Sequence, residues 1–87
     1  MPNTQSAIKR VRQERKRRLQ NRRVRTRMRT FVKKAQSAIA EGDQEAASGA
    51  VVAAVREIDK AAQKGVIHQN NAARRKSRLM QRYNSMA

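Results

Sequence analysis

The residues that could do chemistry in this chain are its arginines and lysines, because the groups that catalysis requires are almost absent. His68 is the only histidine, and there is no cysteine to act as a nucleophile. A general base with an adjacent nucleophile would depend on Ser48 or Ser77, and nothing in the sequence orients either hydroxyl. The sequence therefore predicts no catalytic residues and no enzymatic activity.

A metal site or a nucleotide-binding loop is equally unsupported. Glu41, Asp43 and Glu45 lie close together, but a calcium loop needs further oxygen ligands at set spacings. Capping of two adjacent helix ends explains these acids better. The three glycines stand singly and match neither GxGxxG nor the Walker pattern. We predict no metal, no cofactor and no small-molecule substrate.

The basic residues point to a polyanionic partner. The chain has 22 Lys and Arg against 6 Asp and Glu, which gives a formal net charge of +16 on 87 residues. Fifteen of the 22 are arginine, whose planar guanidinium grips phosphate in a bidentate fashion. Phe31 and Tyr83 are the only aromatic residues, too few for a stacking platform on single strands. We therefore expect contacts with phosphates and grooves of structured nucleic acid, and a positioning or RNA-contacting role for His68.

Three helices must carry these side chains. Alanine, arginine, glutamine and lysine dominate, and no apolar–polar alternation of strand length occurs. Gly42 before Asp43 is typical of a helix end followed by a new start, and Gly65 ends the second helix. The sequence predicts helices near 5–41, 44–64 and 69–84. With no Gly/Ser/Pro linker, residues 1–87 form one all-α domain, a three-helix bundle with a long basic first helix.

The two halves of the first helix differ in what they can bury. From Val24 to Ile39 an apolar stripe runs along one face, so this half can pack on the other helices. Before residue 24 Arg10 and Arg17 occupy that sector. We predict a basic extension over about 5–23 and a bundle over about 24–87. Like-charge pairs four residues apart oppose helix formation, so we expect 5–23 to be poorly helical until phosphates neutralise it.

The other two helices show one apolar face each. On the second helix, Glu57 falls outside the predicted core face, and on the third helix Lys76 falls within it and must extend its amine to the edge. The predicted core positions of these helices are Ala47, Val51, Ala54, Val55, Ile58, Ala61, Ala62, Ala72, Leu79, Met80, Tyr83 and Met86. The opposite face of the third helix is basic.

Several motifs in sequence order resemble one known family. Ser6-Ala7-Ile8-Lys9-Arg10 lies near the N-terminus, KGxIHxN spans 64–70, AAR follows at 72–74 and KSRL at 76–79. Together they resemble the S20 family of bacterial small-subunit ribosomal proteins over nearly the whole chain. The resemblance implies a three-helix bundle that binds small-subunit ribosomal RNA directly and early in assembly, without enzyme activity.

The resemblance also implies which residues contact RNA. On the first helix they are Lys9, Arg10, Lys16, Arg17, Arg18, Asn21, Arg22, Arg29, Lys33 and Lys34. Around the last turn and the third helix they are Lys64, His68, Asn70, Arg74, Lys76 and Arg78. Other ribosomal components stay open as partners. No apolar run is long enough for a membrane span or a signal peptide, so we expect a cytoplasmic, ribosome-associated protein without a membrane partner.

The residues alone leave one alternative open. Residues 9–29 look like the basic arm of a leucine-zipper factor, although Gly42 interrupts the helix and no leucine heptads follow. The alternative is a general DNA-binding or nucleoid-compacting helical protein. Its affinity for duplex DNA would equal that for folded ribosomal RNA.

Overall fold

The computed structural model describes residues 4–86, and they form three α-helices. These are α1 (Gln5–Glu41), α2 (Gln44–Gln63) and α3 (Gln69–Asn84). The predicted class is confirmed, and every predicted helix end lies within one residue of the observed one. Within residues 4–86 no strand is present.

The reversal between α1 and α2 needs only two residues. Gly42 adopts φ 79°, a left-handed conformation that suits glycine, and its N–H donates to the Ile39 carbonyl at 3.1 Å. The Asp43 carboxylate then accepts from the Ala46 N–H at 3.2 Å and caps α2. The tight reversal lays α2 back along the second half of α1.

The turn between α2 and α3 brings an apolar residue into the core. Gly65 has φ 76°, and the Val66 N–H donates to the Ala61 carbonyl at 2.9 Å. This geometry leaves Ile67 only 9% exposed, in contact with the core around Met28. Ile67 was missing from the predicted core, because it lies outside any helical repeat and only the turn geometry directs it inward.

The core is built from small residues at the helix crossings and a few larger ones between them. Met28 and Ile58 are the largest fully buried side chains. Alanines at 35, 54 and 61 are also fully buried, which lets the helix backbones approach closely. The partly buried residues around this core include Val24, Phe31, Val32, Ala62 and Val66. Val24 is the first of these α1 residues to pack against the core.

Two core predictions are wrong. Met80 is 40% exposed, because α1 packs mainly on α2 and leaves this side of α3 uncovered. Glu57 is only 8% exposed although it was placed on the outer face. Its carboxylate lies 3.2 Å from Nε of Arg27 on α1 and 3.8 Å from Nζ of Lys60. A cation from the neighbouring helix thus compensates the buried charge, which the pattern of one helix could not show.

The first half of α1 lies outside the bundle. The molecule measures 62 × 21 × 16 Å, and a 37-residue helix of roughly 55 Å accounts for most of the long dimension. Every residue from 8 to 20 is exposed, and Ala7 is half-buried. We call residues 5–20 the free half of α1. The bundle holds this half by one end only.

Candidate nucleic-acid interface

The free half of α1 concentrates positive charge without using it in the fold. Residues 5–20 contain seven basic side chains and one acid, Glu14, so the net charge is 7 − 1 = +6. All seven are exposed, and none makes an ion pair within the part of the chain that the structure describes. These charges stabilise nothing inside the protein. They are available to an external anion on every side of the helix.

A basic row continues from the free half along the solvent side of the bundle. Its members recur every three or four residues and so lie on one face of α1. We define the outer row as these five exposed residues: Arg18, Arg22, Arg25, Arg29 and Lys33. Four of the five line a shallow groove with Asn21 and Thr26. The outer row joins the free half to the bundle as one continuous cationic surface.

A second basic groove forms where α1 passes the turn between α2 and α3. Arg17, Asn21 and Arg23 line it from α1, and Lys64 with Gly65 lines it from the turn. Arg25 lies beside this turn, and its Nη2 donates to the Val66 carbonyl at 3.5 Å. The fold thus brings Lys64 to Arg17 and Asn21, from which it is distant in sequence. All three were predicted as RNA contacts.

His68 and Asn70 both take part in starting α3. His68 is the N-cap residue, and its Nδ1 accepts from the Asn70 N–H at 3.1 Å. The side chain of His68 therefore caps the start of α3. Both side chains are exposed, so the His68 Nε2 and the Asn70 amide face solvent as well. Their contact with RNA stays a prediction.

The predicted residues on α3 divide into free and engaged side chains. Arg74 and Arg78 are exposed, and Arg78 lines a groove with Arg75 between α1 and α3. Lys76 is half-buried, and its Nζ lies 2.8 Å from the Asp59 carboxylate. The predicted outward reach of this amine is confirmed, but it ends on a protein carboxylate. Lys76 is therefore the predicted contact least available to phosphate.

The remaining predicted residues all lie on α1. The Lys34 amine lies 5.5 Å from the centre of the Phe31 ring, and the Arg27 guanidinium lies 5.1 Å from it. Asn21 is half-buried, and the other side chains are exposed. Those exposed residues are Lys9, Arg10, Lys16, Arg17, Arg18, Arg22, Arg29, Lys33 and Lys34.

The same surface includes basic residues that were not on the predicted list. Arg12, Arg15, Arg23 and Arg25 are exposed on α1 between residues that were. Their positions around the helix would have identified two of them. Arg25 belongs to the outer row, and Arg23 lines the groove beside the turn between α2 and α3. Family motifs alone do not reveal this arrangement. The candidate interface is therefore wider than the predicted set.

Other kinds of site find no support in the described residues. Within residues 4–86, no group of three or more His, Cys, Asp or Glu could hold a metal ion. No helix in that range is both long and apolar enough to cross a bilayer. The grooves are open and lined by arginine. They suit a polymer backbone better than a small molecule.

This combination defines a class of protein: a small helical polycation with a compact anchor and an exposed cationic rod, suited to holding a folded nucleic acid. The family model described as ribosomal protein S20 matches residues 2–84. The chain therefore belongs to the ribosomal protein S20 family. Membership confirms the resemblance seen in the sequence and, with it, a structural, non-enzymatic role.

Similar proteins in three bacteria agree with this assignment. Each is named small ribosomal subunit protein bS20. The protein of Coprothermobacter proteolyticus is 56% identical over 97% of this chain and 96% of its own length. That of Thermomicrobium roseum is 52% identical over 99% of this chain and 87% of its own length. That of Cellvibrio japonicus is 52% identical over 100% of this chain and 99% of its own length.

Proposed function

We propose that this protein is a structural constituent of the small ribosomal subunit. It binds small-subunit ribosomal RNA directly and stabilises the RNA fold during assembly, in the cytoplasm and on the ribosome. Family membership and the names of the relatives support this role. The interface adds a physical reason for it.

One observation carries the proposal: the free half of α1 has a net charge of +6, and none of its residues is buried against the rest of the protein. A helix with like charges four residues apart, such as Arg12 with Lys16, loses about 0.2–0.5 kcal/mol per pair when isolated. With Glu14 as the only acid among seven basic residues, the charge interactions within this segment are mainly repulsive. Binding to phosphates makes the helical form of this segment favourable, because each neutralised phosphate releases condensed counterions.

The mechanism follows from the shape of α1. RNA segments repel each other because each carries one negative charge per nucleotide. A rod that is cationic on all sides reaches more than one segment and lowers the cost of bringing them together. Arg10 and Arg17 face one way and the outer row faces another. The bundle fixes one end of the rod and adds Lys64, Arg74 and Arg78 as a further contact region.

Binding assays separate this function from the DNA-binding alternative. We expect the protein to prefer folded small-subunit ribosomal RNA over duplex DNA at equal salt, and to co-sediment with small subunits. With about 8 to 10 phosphates engaged, the log–log slope of affinity against salt would be roughly −6 to −9. Equal affinity for the two nucleic acids would support the general DNA-binding protein instead.

A further inference from the structure

The free half of α1 also carries three aliphatic side chains that the charge argument does not explain. Ile8 is 45% exposed, Val11 41% and Leu19 48%. They are among the five large hydrophobic residues most exposed in residues 4–86. Three such side chains on one otherwise polar segment are costly in water unless something covers them.

These three residues share one face of the helix. At 3.6 residues per turn, positions 8, 11 and 19 fall on a single stripe, with Arg15 between Val11 and Leu19. We call Ile8, Val11 and Leu19 the aliphatic stripe. It is roughly 16 Å long and lies on the side of α1 away from the residues that enter the core. No part of the bundle is placed to cover it.

Long cationic side chains border the stripe on both sides. By helical position Arg12 and Lys16 lie on one side, and Arg18 lies on the other. Leu19 lies in a shallow groove lined by Arg15, Arg18 and Arg22. The face therefore presents aliphatic groups together with Arg15 along its centre, and further long basic groups at both edges.

We propose that this face of α1 lies in the minor groove of an RNA duplex. The aliphatic stripe contacts the riboses, and the bordering arginines and lysine bind the phosphates of the two strands. This inference rests on the proposed function and deepens it by naming the RNA surface.

The shape of A-form RNA supports this choice. Its minor groove is wide and shallow, so short side chains reach the sugars, whereas the major groove is too deep and narrow for side chains to read. A minor groove also places phosphate rows on both sides of its floor, which matches the basic residues on both borders.

A triple substitution of Ile8, Val11 and Leu19 by alanine tests the inference. Alanine has the highest helix propensity, so the variant keeps its helix and all its charges. The measurement is affinity for intact small-subunit ribosomal RNA over a series of salt concentrations. We expect affinity to fall about 10- to 100-fold, because only the exposed part of each side chain, less than half, is left for RNA to bury. The salt slope should stay unchanged because no charge is removed. Val52→Ala on α2, where Val52 is 56% exposed, is the control and should leave affinity unchanged.

Hydroxyl-radical footprinting of the RNA locates the contact. We expect riboses protected by the wild type to become accessible in the triple variant on both strands across one minor groove. Newly accessible riboses in single-stranded loops would overturn the inference. So would an unchanged RNA affinity, including one accompanied by poorer incorporation into subunits, which would assign the stripe to a protein neighbour.

The affinities of the wild type for ribosomal RNA and for DNA test the proposed function separately from the minor-groove inference. If the wild type bound ribosomal RNA no better than DNA, the proposed function would fail. If the wild type bound as expected and the triple variant bound equally well, only the minor-groove inference would fail.

Discussion

Replacing Lys16, Arg17 and Arg18 by glutamine removes three adjacent charges from the free half of α1. All three side chains are exposed, and none forms an ion pair or hydrogen bond within residues 4–86. Glutamine keeps the helix propensity close to that of lysine and arginine. The free energy of unfolding of the bundle should therefore change by less than about 0.5 kcal/mol.

The expected loss of RNA affinity follows from counterion release. If each side chain neutralises one phosphate of duplex RNA, the log–log salt slope becomes less negative by about 0.9 per residue, or about 2.7 for three. At about 0.15 M salt this corresponds to roughly 100-fold weaker binding. Fluorescence anisotropy with ribosomal RNA over a salt series measures the slope and the affinity together, and thermal unfolding measures the stability.

Arg56→Gln is the matched control. Arg56 is exposed on α2 and lines neither of the two basic grooves along α1, so we expect its loss to lower the net charge by one without removing an RNA contact. The loss of binding free energy in the triple variant should greatly exceed three times the loss caused by Arg56→Gln. Equal effects per charge would show that net charge alone drives binding, and a large fall in the unfolding temperature would show that these residues support the fold. Either result would refute the reasoning.

Four further predictions concern the stability of the bundle that holds α1. Met28→Ala should lower the free energy of unfolding by about 2–5 kcal/mol because Met28 is fully buried. Phe31→Ala should cost less, about 1–2 kcal/mol, because the ring is half-buried under Arg27 and Lys34; urea unfolding compares the two. Arg27→Ala should cost about 1–3 kcal/mol by leaving the Glu57 carboxylate without its nearest cation, and a double-mutant cycle with Glu57→Gln isolates that coupling. Gly42→Ala should cost about 1 kcal/mol in the same assay because of the left-handed φ.

Each of these stability predictions has a contrary outcome. An equal or larger cost for Phe31→Ala would mean that the ring, and not Met28, anchors α1. A coupling energy near zero between positions 27 and 57 would mean that Lys60 and water suffice for the carboxylate. A stabilised Gly42→Ala variant would contradict the assigned backbone conformation between α1 and α2.

The helices were predictable because the determining signals are local. Gly42, Asp43 and Gly65 mark the ends, and the apolar stripe that begins at Val24 marks where α1 enters the bundle. Interactions between elements were not predictable in this way. The burial of Glu57 depends on Arg27 of another helix, that of Ile67 depends on a turn, and the exposure of Met80 depends on where α1 runs.

The candidate interface, too, was predictable where the signal is local and not where it depends on contacts between helices. Charge and arginine content predicted a polyanionic partner, and motif resemblance supplied RNA and a set of residues. The tertiary structure then showed that Lys76 is paired with Asp59 and that His68 caps α3. It also showed that Arg17 and Lys64 line one groove. Sequence spacing cannot give these relations, because they depend on how the helices cross.

The central claim is that phosphates, and not protein contacts, stabilise the free half of α1 in its helical form. Residue-resolved amide exchange by NMR, with and without ribosomal RNA, tests it most directly. We expect weak protection over residues 8–20 and strong protection over 24–39 in the free protein, with strong protection over both segments in the complex. Full protection of residues 8–20 in the absence of RNA would contradict it.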